Sequence, residues 1–295
     1  MRSINRMVAT ALAAGMATAP TLAANRLYAC GDDQVREYRI DGTGTVESWR
    51  WTAAAATDLP PAYRATLLAH IDDCKPVEDG RAILVTASTG GVVLIDRATG
   101  RVRFRAIAPM AHSADLLPGG RIAVALSLHA EGNRLILYDR RRSETPLLDV
   151  PLPSGHGAVW DPVRSRLFAL SHDLVQAFAV GGSRARPTLT ETARWPLPGR
   201  RDGHDLSPRP DGRYLVTTED GVWTFDPDPG RFVPLPALYP ARQVKAVAAA
   251  GGRLAWVQAE TRWWANGFTV ADADGGTPRR VPVADLHLYK VRWLR

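Results

Sequence analysis

Apolar runs in this chain are short, and turn residues separate them. "AILVTAS" from Ala82, "RIAVALS" from Arg121, "YLVTTE" from Tyr214 and "RLAWVQ" from Arg253 each follow a Gly-, Pro- or Asp-rich break such as "LPGGR" or "RPDGR". Runs of this length between such breaks predict β-strands. A further run follows in each case, as in "VVLID" from Val92, "RLILYD" from Arg134 and "VWTFD" from Val222. A last one comes after the next turn: "RVRFRAI" from Arg101, "TPLLDVPL" from Thr145, "RFVPLP" from Arg231. Several of these last runs contain Pro, which suits an edge strand because one side of its backbone faces water.

The pattern repeats. "HIDDCKPVEDGRAILVTAS" from His70, "HSADLLPGGRIAVALS" from His112, "HGAVWDPVRSRLFALS" from His156, "HDLSPRPDGRYLVTTE" from His204 and "KAVAAAGGRLAWVQAE" from Lys245 resemble one another, and "KVRWLR" opens a sixth copy at Lys290. The copies start 42, 44, 48, 41 and 45 residues apart. That period, with four strands per copy, predicts a β-propeller. The ends of the chain complete the count. "NRLYAC", "QVREYRI" and "VESWRWT" read as strands two to four of a blade without its first strand, and "YKVRWL" reads as a first strand without its blade. Joining them gives an all-β, six-bladed propeller of four-stranded blades over residues 25–295, closed by the C-terminal strand, with no exposed sheet edge at the seam.

The residue that opens each innermost strand is expected near the central axis. In blade order these are His70, His112, His156, His204, Lys245 and Lys290. The loops between second and third strands reach the same face. They bring Asp32, Asp33, Ser88, Thr89, Ser127, His129, Glu131, residues 171–173, Glu219, Asp220 and residues 260–264 with Glu260, Trp263 and Trp264, while Asp72, Asp73, Asp115 and Asp205 closely follow ring histidines. Imidazoles around one axis are ligands for a divalent ion such as zinc, manganese or iron, with carboxylates orienting them from behind. Lys245 and Lys290 suit an anionic ligand group or, with a lowered pKa, a base. Glu219 and Glu260 are candidates for acid–base work. Trp263, Trp264, His129 and Asp73 are candidate ligand contacts, the tryptophans by stacking on a sugar ring.

Composition adds the setting. The first 24 residues place Arg2 and Arg6 before small and apolar residues, the pattern of a secretory signal peptide, which implies a periplasmic or secreted protein without a membrane span after cleavage. The formal charge is +7, of which Arg2 and Arg6 contribute two. A mildly basic exported protein suits an anionic small molecule or glycan. Nucleic acid is not indicated, since basic residues are not interleaved with aromatics. Glycine-rich nucleotide loops, a GxSxG elbow and a CxxC pair are absent, so nucleotide chemistry of the familiar kinds has no support in the sequence. Cys30 and Cys74 are compatible with one disulfide or with two buried thiols.

"HIDDCKPVEDGRAILVTAS", "AHSADLLPGGRIAVALS", "GHDLSPRPDGRYLVTTEDGVWTFD" and "LYKVRWL" resemble a family of exported bacterial WD40-like propellers of unknown function, over nearly the whole mature chain. A looser resemblance is to oligogalacturonate lyases, propellers with an axial histidine-bound metal. It implies a metal among His70, His112, His156 and His204 that acidifies a C–H next to a substrate carboxylate, with Lys245 or Lys290 as base or carboxylate clamp. In WD-type propellers a Gly-His pair is structural, and Gly155-His156 and Gly203-His204 match it. Two readings therefore stand: a carbohydrate-active lyase or hydrolase with an axial site, or a non-catalytic binding or scaffold propeller of the envelope.

Overall fold

The computed structural model describes residues 25–42, 44–199, 202–274 and 276–294. The predicted signal segment, residues 1–24, lies outside them. Six four-stranded antiparallel sheets follow one another around a ring. The first holds β1 (Arg26–Gly31), β2 (Gln34–Asp41) and β3 (Gly44–Thr52). The second holds β4 (Ile71–Val77), β5 (Ala82–Ala87), β6 (Gly91–Asp96) and β7 (Val102–Ile107). The third is β8 (Ala111–Leu117), β9 (Arg121–Leu126), β10 (Arg134–Asp139) and β11 (Pro146–Pro151). The fourth is β12 (Gly157–Asp161), β13 (Arg166–Leu170), β14 (Leu174–Gly182) and β15 (Pro187–Pro196). The fifth is β16 (Asp205–Pro208), β17 (Tyr214–Thr218), β18 (Gly221–Asp226) and β19 (Arg231–Pro234). The sixth is β20 (Val244–Ala250), β21 (Arg253–Gln258), β22 (Gly267–Asp272) and β23 (Arg279–Pro282). The last strand, β24 (Leu288–Trp293), pairs with β1 and supplies the missing inner strand of the first blade. The propeller and its closure are those expected from the repeat.

Burial follows strand position. Inner and second strands such as β5, β20 and β24 are buried throughout, because each lies between two neighbouring blades. Outer strands such as β3, β11 and β15 alternate or face water, and carry the charged and Pro residues. Apolar side chains gather in six clusters, one between each pair of adjacent blades. The seam has an apolar cluster like the other interfaces: Leu27, Val291 and Trp293 share one with Ala255 and Phe268 of the sixth blade. Gly31 ends β1 where it meets β24, and a Cβ there would come within 1.9 Å of the His287 carbonyl oxygen. Cys30 and Cys74 form a disulfide, so the thiol alternative falls. It joins the second strand of the first blade to the inner strand of the second. Closing a loop with a sequence separation of 44 residues restricts the unfolded chain, an effect of about 4 kcal/mol by loop entropy. Among the described residues no helix is long and apolar enough to cross a membrane.

Candidate functional site at the propeller axis

The site is set by where the inner strands break register. In β4, Ile71 pairs with Ala87 and Asp73 with Thr86, which leaves Asp72 as an extra, bulged residue. The same irregularity falls on His112 in β8, Lys245 in β20 and Tyr289 in β24. In β12 and β16 the ladder is regular, and His156 and His204 stand just before the first paired residue. A bulge turns one side chain out of the alternation of its strand. Here it aims Asp72, His112, Lys245 and Tyr289 toward the group that includes His156 and His204.

These six side chains form a continuous arc. The His112 Nδ1 lies 2.5 Å from Asp72 Oδ2. The His112 and His156 rings stack at 4.5 Å, and His204 meets His156 edge-on at 6.0 Å. Lys245 Nζ is 3.3 Å from His204 Nε2. Tyr289 closes the arc, 5.9 Å from His112. The His156 Nδ1 lies 2.9 Å from the Ser154 carbonyl oxygen, which can only accept, so Nδ1 carries the proton and Nε2 the lone pair. Burial, helped by His112, holds the His156 pKa well below the usual imidazole value. Burial and then the Lys245 charge pull His204 down to about 4. Both rings are thus neutral near pH 7. Burial also lowers Lys245, although Glu219 and Asp202 oppose it.

The arc has two chemically different ends. At one, Asp72, Ser88, Thr89, Met110, His112, Trp263 and Tyr289 enclose a cavity of about 420 Å³. Trp263 stands at its mouth, 38% exposed, with its ring 5.9 Å from both Tyr289 and His70. At the other end, Asp202, His204 and Glu219 each bring one ligand atom within 4.8 Å of the other two. Glu219 Oε1 accepts a 2.6 Å bond from Gln243 Nε2, and Oε2 lies 3.5 Å from His204 Nε2.

Beneath the arc the axis is filled. Arg292 donates to Asp73 at 2.8 and 3.0 Å and to Asp205 at 2.8 and 2.6 Å. Lys290 reaches across from the first blade to the His112 and His156 carbonyl oxygens at 3.3 and 3.1 Å, with Asp205 at 3.1 Å. Lys75 donates to the Ala158 carbonyl at 2.6 Å and has Asp115 at 3.8 Å. Three cations and three carboxylates thus plug the channel. Burial alone would raise Asp73 and Asp205. The charges of Arg292 and Lys290 outweigh it and keep both low.

The whole of this framework, residues 25–295, matches one protein family. The chain belongs to the family of unknown function DUF6528. No curated protein matches it in sequence. Solved structures share the fold at low identity. A chain of the nidogen/laminin complex aligns with TM-score 0.63 and 14% identity, over 90% of this chain and 97% of that one. A protein of unknown function from Bacteroides caccae gives 0.59 and 14%, over 90% and 97%. The Cps50 (Swd1) β-propeller domain of Myceliophteria thermophila gives 0.58 and 14%, over 92% and 86%.

In this DUF6528 member the expected site residues divide. His112, His156, His204 and Lys245 meet on the axis, with Glu219 beside them. His70 does not join them: it precedes the bulge by two residues, is exposed, and rests against Trp263, and Asp72 takes its place in the arc. Lys290 is one residue off in register. It is fully buried in the plug, where no substrate reaches it, and Tyr289 takes its position. Asp73 is likewise locked in the plug by Arg292 and by a 2.8 Å bond from Ser113. Glu260 is exposed, bonded to Arg280 and to the Asn266 N–H, away from Glu219. Trp264 packs on His287 at 4.0 Å instead of joining Trp263. His129 is an exposed loop residue whose Nδ1 accepts from the Glu131 N–H. Four imidazoles around one ion is not the arrangement found, because His70 stands apart from the other three, exposed and against Trp263. Among the described residues, the group that fits a metal uses one of the four histidines, His204, with Asp202 and Glu219. Tyr289, Met110 and Asp202 were not anticipated. Asp202 and Tyr289 sit within two residues of His204 and Lys290, so their proximity in sequence was the available signal.

Proposed function

We propose that this chain is an exported, carbohydrate-active propeller that takes a short acidic or otherwise modified sugar at its axis and acts on it as a lyase or hydrolase. The carrying observation is the plugged channel with a cavity of about 420 Å³ above it, walled by Trp263 and Tyr289 and floored by the Asp72–His112 pair. Aromatic faces pack on the C–H face of a sugar ring, and Ser88 and Thr89 offer hydroxyls to its edge. With Nδ1 donating to Asp72, Nε2 is the His112 nitrogen left to accept a proton. In a lyase that proton comes from the carbon next to the substrate carboxylate; its electron pair forms the new C=C bond as the glycosidic C–O bond breaks, and water protonates the leaving oxygen. In a hydrolase the proton comes from the attacking water. An acidic substituent on a neighbouring sugar unit belongs at the other end of the arc, with Lys245. Zinc, manganese or iron is the alternative cation there: Asp202, His204 and Glu219 are the residues that would hold it, in place of Lys245, and it would polarise the same group. Export through residues 1–24 belongs to this reading, and the disulfide supports an oxidising compartment.

The test is calorimetric titration with a panel of uronate-containing di- and trisaccharides, followed by product analysis. Wild type is expected to bind and turn over at least one. Asp72→Asn should retain binding within a few-fold and lose about 10²-fold or more in rate, because the tautomer of His112 is no longer fixed. Failure to bind any member overturns the reading. A second reading, a non-catalytic envelope binding or scaffold protein, is favoured by His156, whose bond to Ser154 is local and structural. It predicts binding without product in wild type and Asp72→Asn alike.

A further inference from the structure

Lys245 meets the same three side chains that fit a metal. Its Nζ is 3.3 Å from His204 Nε2, the nitrogen that also approaches Glu219 Oε2 at 3.5 Å. Asp202 and Glu219 are the carboxylates whose charge acts on Lys245. The side chain is buried, so its ammonium is not screened by bulk water. His204 offers a single lone pair on Nε2 when Nδ1 carries the proton. An ammonium hydrogen and a divalent cation both need that lone pair, and both are drawn by the same two carboxylates. They are therefore alternatives at one position.

We propose that Lys245 is the resident cation of the Asp202–His204–Glu219 group, and that its ammonium stands where a divalent metal would bind and keeps the metal out. This goes beyond the carbohydrate reading and does not depend on it. It assigns a selective function to a residue that is otherwise a candidate base. A ligand carboxylate arriving at this end of the arc meets an ammonium by default. A metal enters only by displacing the lysine, which leaves two positive charges close together or forces the side chain to swing away. Other charges border the group, with Arg242 3.7 Å from Glu219 and His172 3.4 Å from the half-exposed Asp202, but Lys245 is the cation placed against the imidazole.

Zinc alone is a sufficient probe. Wild type, Lys245→Met and Lys245→Met/His204→Ala are each titrated with zinc by calorimetry, and the metal retained after desalting is measured by elemental mass spectrometry. Thermal melts of the same samples confirm folding. Lys245→Met should bind one zinc per chain at least about tenfold more tightly than wild type, since a like charge has been removed from the site. The double variant should fall back to wild type or below. Lys245→Gln, which keeps a polar end without charge, should also gain affinity. Equal zinc affinity in wild type and both Lys245 variants, including no binding in any of them, would overturn the proposal. Undiminished binding in the double variant would overturn it too, because the metal would then sit elsewhere.

Discussion

Asp72 and Asp73 are neighbours in β4, and their surroundings have little in common. Asp72 sits on a bulge, lines the axial cavity and holds His112. Asp73 follows in the regular ladder and is locked in the plug by Arg292. Tyr289 and Lys290 divide in the same way in β24, the tyrosine to the cavity and the lysine to the plug. One layer faces the cavity, and the next fixes the walls that carry it. The difference teaches that a single inserted residue, repeated in four blades, separates what this propeller presents from what holds it rigid.

The comparison breaks most readily at the plug. Arg292→Met leaves Asp73 and Asp205 buried with fewer partners and should cost about 3–5 kcal/mol in urea denaturation. The low pKa values of both carboxylates fix the sign of the pH effect. Their contribution is fully present above the unfolded carboxylate value and is lost as pH falls through the folded one. Wild type should therefore resist acid well below the usual carboxylate range, and Arg292→Met should unfold at higher pH. Wild-type stability in that variant would mean that the lower layer is not structural.

A smaller effect belongs to the ring itself. The His156 pKa is depressed, so the unfolded chain takes up a proton before the folded one does. Stability from this residue is complete above about pH 6.5 and declines below it by roughly 1 kcal/mol per pH unit. His156→Gln should remove that part of the slope in unfolding curves collected between neutral and mildly acidic pH. An unchanged slope would show that the imidazole already gains its proton in the folded state. The smallest effect on stability is expected at the mouth of the cavity. Trp263→Ala should change the melting free energy by less than about 1 kcal/mol, since the side chain is partly exposed. It should weaken sugar binding about tenfold in the same calorimetric titration. A loss of stability well above that bound would move Trp263 from the ligand-facing layer to the core.

The fold was legible because its signals are redundant. Each blade repeats the same breaks, such as "LPGGR" and "RPDGR", and the unpaired apolar "YKVRWL" has one place to go. The site was legible only where register could be counted. His156 and His204 precede regular ladders and fall where the repeat puts them. His112 and Lys245 also do, since they are themselves the bulged residues, whereas His70 and Lys290 stand beside their bulges at Asp72 and Tyr289, a shift that leaves no mark in composition. Glu260 illustrates a different loss. It follows β21 much as Glu219 follows β17, yet Arg280 on the outer strand engages it. An ion pair between strands of one blade is set by side-chain reach, and a linear pattern does not carry that information.

The seam between β1 and β24 also governs the order of events during synthesis. Contacts such as Cys30 with Lys290, 260 residues apart, cannot form until nearly all of the other strands have been made. Until then the first blade lacks its inner strand, Asp73 and Asp205 lack Arg292, and the cavity lacks Tyr289. Such non-local closure is slow compared with hairpin formation within a blade. The Cys30–Cys74 bridge can hold the first two blades together during that interval. Because β24 brings the plug and the cavity wall in one segment, a growing chain has no partly built cavity: its floor and wall arrive together when the ring closes.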